Sequence, residues 1–149
     1  MEINTINERL LWQIACSYRN AIVQAIQKEK LEPFWNTFPR GCCTGACSLL
    51  QRFYFEKGIE TYIVYGQFKN SKYGHTWLET NDEVVIDITG DQFKDRKRHR
   101  FDAPVYVGKR ENGFHDQLIQ TGKDSYCPYD FEYMDPNART YVTIMRFLE

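Results

Sequence analysis

Three of the five cysteines, Cys42, Cys43 and Cys47, fall within six residues, and a histidine follows at position 75 in the segment GHTWLE. A thiol does nucleophilic chemistry only as thiolate, so it needs a setting that ionises it, a base beside it, and a group that orients the base. Cys43 stands just before a helix expected over 44–57. A thiolate there faces unpaired backbone N–H groups and the positive end of the helix dipole, and both lower its pKa. His75 is the histidine inside an expected strand. Asp87, on the next expected strand, is the natural orienting carboxylate. Cys43, His75 and Asp87 are therefore the candidate catalytic residues.

Each of these residues also has a plain structural reading. A free cysteine is among the most buried residue types, so Cys43 reads equally as a packing thiol. Cys42 and Cys47 are taken as packing residues, with Cys47, one turn on, also a candidate resolving thiol. Zinc on Cys43, Cys47, His75 and Asp87 is disfavoured because there is no second cysteine pair; no metal or organic cofactor is expected. Asp91 rivals Asp87 for the orienting role. His99 and His115 are expected at the surface. Trp77 either walls a cleft or packs beneath it.

The elements that must position these residues follow from periodicity. Apolar residues at spacings of three and four predict a helix over 3–30, its regular part opening at Thr5 with Glu8 as a capping box. A second helix over 44–57 buries Ala46, Leu49, Leu50 and Phe53 and stops at Gly58. Strands are expected over 61–67, 74–79 and 83–88, with a short one over 104–107. The basic run 94–100 reads as a solvated loop. The stretch 109–135 is left unassigned, and 137–148, after Pro136, divides evenly between helix and strand. The order is helices first, then an antiparallel meander: one α+β domain over residues 1–149.

Hairpin geometry bears on the His–Asp pair. A three-residue loop over 80–82 sets Glu79 opposite Glu83 and His75 directly opposite Asp87, within reach of a hydrogen bond. It also gathers Leu78, Val84, Ile86 and Ile88 on the other face. A slip of one residue would put His75 and Asp87 on opposite faces.

Composition limits the rest. Nineteen basic and twenty acidic residues leave a net charge of −1, so nothing global favours nucleic acid or an anionic membrane as partner. No run approaches the length of a membrane span, and the first residues lack the basic start and apolar stretch of a signal peptide. A cytoplasmic, reducing location is expected, with the odd number of cysteines left free.

The segments 39–59, 74–79 and 85–93 together resemble the transglutaminase-like branch of the papain-like cysteine protein superfamily. Gly41-Cys42-Cys43, the helix end at Gly58-Ile59, His75-Thr76-Trp77-Leu78-Glu79 and Val85-Ile86-Asp87-Ile88-Thr89 carry the likeness. Phe38-Pro39-Arg40-Gly41-Cys42-Cys43 and Asp87-Ile88-Thr89-Gly90-Asp91-Gln92-Phe93 also resemble a group of small bacterial and phage-type proteins of undefined function, with Gly90 where their pattern has Ala. The resemblance implies a papain-like α+β fold, N-terminal helices packed on an antiparallel sheet. It places nucleophile, base and carboxylate on Cys43, His75 and Asp87. It implies cysteine-dependent amide hydrolysis or acyl transfer through a thioester, on a protein or peptide substrate. The backbone N–H of Cys43 is one oxyanion donor; Gln24 and Trp35 are candidates for the second. A non-catalytic binding module on the same fold, or a thiol-redox protein using Cys42 or Cys47, are the alternatives.

Overall fold

The computed structural model describes residues 2–127 and 138–148, with side chains from Glu8 onward. Among the described residues three α-helices, α1 (Glu2–Lys28), α2 (Cys43–Glu56) and α3 (Ala138–Met145), flank a sheet of five strands. The strands are β1 (Tyr62–Phe68), β2 (Gly74–Glu79), β3 (Val85–Asp87), β4 (Tyr106–Gly108) and β5 (Leu118–Ser125). Their spatial order is β4-β3-β2-β1-β5, every neighbouring pair antiparallel.

Helix α1 forms because Leu11, Ile14, Ala15, Tyr18, Ala21, Ile22 and Ala25 make one apolar stripe, and all are buried. It begins at Glu2, so Thr5 lies inside the helix rather than at its start. Helix α2 buries Ala46, Leu49, Leu50, Phe53 and Tyr54. It ends where Gly58 takes φ +79°, with the Ile59 N–H reaching back to the Tyr54 carbonyl at 2.9 Å. That reversal needs a residue tolerant of the left-handed region. For the chain's end the structure decides in favour of a helix. Thr140, Tyr141 and Ile144 are buried while Val142 is 59 % exposed, a helical period despite the β-branched run.

The sheet is covered on both faces. Ile63, Leu78, Ile86 and Ile88 pack with the stripes of α1 and α2. Val64, Trp77 and Val85 pack on the other side with Phe68 and Leu118 from the strand ends and Phe93 and Phe114 from connecting turns. This second cluster is where the sequence reading was thinnest. Strand β5 was missed because only Leu118 is buried; the rest is an exposed edge rich in glycine and charge, held by its ladder with β1.

The β2–β3 register differs from the expected one. Leu78 pairs with Ile86 and Glu79 with Val85, so five residues rather than three connect the strands. Glu83, at φ +62°, turns the loop, and the Thr80 N–H bonds to the Val84 carbonyl at 3.1 Å. Because the slip is two residues, every side chain keeps its face. Leu78, Ile86 and Ile88 still share one, and His75 and Asp87 share the other as diagonal rather than direct neighbours. The expected meeting of Glu79 with Glu83 does not occur.

Candidate active site

Helix α2 opens at Cys43, with Cys42 as its N-cap residue making no side-chain cap. The turn before it passes through Gly41 at φ +75°. The helix start meets the first residues of β2: Thr44 Oγ1 lies 3.4 Å from Thr76 Oγ1, and His75 and Thr76 act on the Cys43 thiol. Burial alone raises the Cys43 pKa, but hydrogen bonds from His75 and Thr76 and the His75 charge outweigh it and bring it down to about 7. The neighbouring thiols go the other way. Burial drives Cys42 up to about 11 and Cys47 well above its usual value, and raises Cys16. Cys42 and Cys47 are both buried, as packing residues are.

His75 is buried, at 3 % exposure, and its Nε2–H donates to Asp87 Oδ2 at 2.7 Å. Burial works against its charged form, yet the Asp87 carboxylate and the Cys43 thiol together raise its pKa to about 9. Asp87 is 1 % exposed. Burial there favours the neutral acid, but the His75 charge and the hydrogen bonds of His115 and His75 hold it well below the ordinary carboxylate range. Its Oδ1 accepts the Thr89 N–H at 2.9 Å, so the turn after β3 fixes the second oxygen. Trp77 packs beneath this pair, 6.0 Å from the His75 ring, with its indole N–H on Glu79.

Three residues at the site were missed, misplaced or left open by sequence reasoning. His115, expected at the surface, is wholly buried, and its Nε2 lies 2.7 Å from the same Asp87 Oδ2 that holds His75. The short helical turn at His115–Gln117 delivers it from the unassigned stretch, which is why no periodicity announced it. Gln92 is the second. Its Nε2 donates to the Thr89 carbonyl at 3.1 Å and lies 3.1 Å from His75 Nδ1. The third is Asp91. It does not orient the histidine, because Arg19 takes both its oxygens, at 2.8 and 2.9 Å, while also donating to the Ile88 and Pro104 carbonyls. That clamp ties α1 to the end of β3.

Gly90 has a local reason. A Cβ there would sit 2.6 Å from Phe101 Cδ2 and 3.1 Å from Asp87 Oδ2. The Phe101 ring occupies the space that the Ala methyl of the resembled pattern would need. Of the two expected oxyanion donors, Gln24 lines a groove with Lys28, Arg146 and Phe147 that none of the three candidate catalytic residues lines. Trp35 is buried against the first turn of α2, where a Cβ added at Gly45 would sit 3.5 Å from its ring. His99 is half-buried, stacked on Phe68 at 4.0 Å.

Among the described residues, one group has the donors for a metal: His75, Asp87 and His115, whose ligand atoms lie within 4.8 Å of one another. The two 2.7 Å N···O separations are those of charge-assisted hydrogen bonds. Tetrahedral zinc ligands with bonds near 2.1 Å stand roughly 3.4 Å apart, so the cluster as folded fits protons better than an ion. Comparisons with known proteins add no further constraint: no protein-family model, curated protein or solved structure matches the chain.

Proposed function

We propose that this chain is a cysteine-dependent amide hydrolase or acyl transferase on a papain-like, transglutaminase-like fold, acting on a protein or peptide substrate. The observation that carries the reading is the contrast among neighbouring thiols. Cys43 alone of the cluster at positions 42–47 has a histidine and Thr76 donating to it, and its pKa falls to about 7 while Cys42 and Cys47 rise.

The chemistry follows from those partners. The Cys43 thiolate attacks a carbonyl carbon and forms the C–S bond. The developing oxyanion is met by the Cys43 backbone N–H at the helix start. His75, protonated on Nδ1 and held through Nε2 by Asp87, gives its Nδ1 proton to the leaving amine as the C–N bond breaks. Water or an acceptor amine then attacks the thioester, returns a proton to His75 and frees the thiolate. Asp87 stays ionised throughout and keeps the ring aligned.

The test is iodoacetamide alkylation across pH 5–10, read residue by residue by mass spectrometry, in wild type and His75→Ala. The expected result is fast labelling of Cys43 with a midpoint near its pKa of about 7, moved up by a unit or more in His75→Ala. If Cys43 titrates as an ordinary thiol in both proteins, the enzyme reading fails and a binding role replaces it.

A further inference from the structure

Asp87 Oδ2 is shared by two histidines, and the proposed chemistry uses only one of them. The other is built in with more care than a packing residue requires. Asn112 Oδ1 accepts two backbone N–H groups, from Phe114 at 2.9 Å and His115 at 2.8 Å, so its amide cannot be turned over without losing both. Its Nδ2 is therefore a donor, spent on the Lys109 carbonyl at 3.0 Å and on His115 Nδ1 at 2.7 Å. An acceptor Nδ1 leaves the ring proton on Nε2, and Nε2 points at Asp87. Tyr106 stacks on the ring at 5.6 Å and Trp77 and Phe101 meet it edge-on at 5.1 and 5.3 Å, so the imidazole has no room to turn.

We propose that His115, with its tautomer set by Asn112, is a positioning residue for the site: it donates a fixed Nε2–H to Asp87 and holds that carboxylate ionised and aimed at His75. The inference rests on the reading of Cys43, His75 and Asp87 as a catalytic set. His115 touches neither Cys43 nor a substrate and transfers no proton. Its action runs through Asp87 to the stability of the thiolate–imidazolium pair.

Three proteins test it: wild type, His115→Phe, which keeps a flat ring and removes the donor, and His115→Gln, whose amide offers an N–H at a comparable reach. The readout is the midpoint of the Cys43 alkylation profile, with the melting temperature alongside. His115→Phe is expected to raise the midpoint by about half a unit or more, which roughly halves the thiolate at pH 7. His115→Gln should restore most of that shift, whereas a merely structural role would move the melting temperature and leave the midpoint alone. A folded His115→Phe with the wild-type midpoint overturns the inference. A wild type without a depressed, His75-dependent midpoint overturns instead the reading beneath it.

A second measurement needs no variant. Long-range ¹⁵N–¹H correlation spectra of the ¹⁵N-labelled wild-type chain at pH 7 report which nitrogen of each ring carries the proton. His115 is expected as the Nε2–H tautomer. Finding it protonated on Nδ1 with Nε2 bare overturns the proposal even if His115→Phe does not fold, because a bare Nε2 holds no carboxylate.

Discussion

His75 and His115 bond through the same ring nitrogen to the same carboxylate oxygen at the same 2.7 Å, and both rings are buried. They differ at the far nitrogen. Nδ1 of His75 meets the Gln92 amide, in a ring that lowers the Cys43 pKa, whereas Nδ1 of His115 meets Asn112, itself pinned by two backbone N–H groups. One ring faces a group that can give up a proton, and the other faces a donor that cannot move. Burial and a charged partner are thus not what separates a base from a scaffold here. The partner on the second nitrogen is, and it comes from opposite ends of one aromatic cluster beneath the sheet.

The largest break in that comparison is Asp87→Asn, which removes the group common to both rings. An amide in place of the carboxylate leaves both buried Nε2–H groups without an anionic acceptor. The expected outcome is a Cys43 midpoint moved from about 7 back toward 9, with the ionised fraction at pH 7 falling from about half to about one per cent. Stability should drop by about 3 kcal/mol, the scale for breaking a buried charge pair from one side. Chemical denaturation and the alkylation profile check the two parts separately. A wild-type midpoint in Asp87→Asn would remove Asp87 from the site.

Gly90→Ala presses mainly on the His115 side of the comparison. The added methyl would collide with Phe101, which stacks on Phe114 at 4.7 Å and meets the His115 ring edge-on. Overpacking of this kind costs about 1–3 kcal/mol. A lower melting temperature is expected, partly recovered by Phe101→Leu in the same chain. An unchanged melting temperature would mean that the ring has room to yield.

Cys43→Ser sharpens the His75 side through the pH dependence of stability. The folded His75 pKa is raised to about 9 from 6.5, so its contribution is full below about pH 6.5 and lost as pH rises through 9. The folded Cys43 pKa is lowered to about 7 from 9.0, so its contribution grows over nearly the same window. In wild type the two offset, and stability should be nearly flat between pH 7 and 9. In Cys43→Ser only the His75 part remains, and stability should fall by about 1–2 kcal/mol as pH rises across that window. Melting temperatures at half-unit pH steps read this directly. A parallel pair of curves would show that the thiol and the ring do not share a proton balance.

How much of this was legible in the sequence follows from where each residue's signal lies. Cys43, His75 and Asp87 sit at the start of a helix and on two strands whose periods are clear, so their elements could be drawn and their faces matched. The hairpin loop was misjudged by two residues, and the pairing survived because strand faces repeat every two. His115, Asn112 and Gln92 stand on short turns between elements, where no period marks which side chain points inward. Arg19 on the polar side of α1 finds Asp91 across 72 positions of sequence, a pairing that only the folded topology defines. The parts that position the chemistry were readable from pattern, and the parts that tune it were not.

Gln92 gives the smallest expected effect and the sharpest sign. Its Nε2 is anchored on the Thr89 carbonyl, so the N–H it turns to His75 Nδ1 is a donor to a lone pair. A donor there stabilises the neutral ring and opposes the imidazolium that the thiolate needs. Gln92→Leu keeps the bulk and removes the donor. The Cys43 midpoint is then expected to move down by a few tenths of a unit, opposite in direction to the rise expected in His115→Phe. If the midpoint rises instead, the Gln92 N–H is serving the Cys43 thiolate rather than the ring. Opposite signs from two hydrogen bonds of similar length would show that their effect depends on which protonation state of the Cys43–His75 pair each one favours.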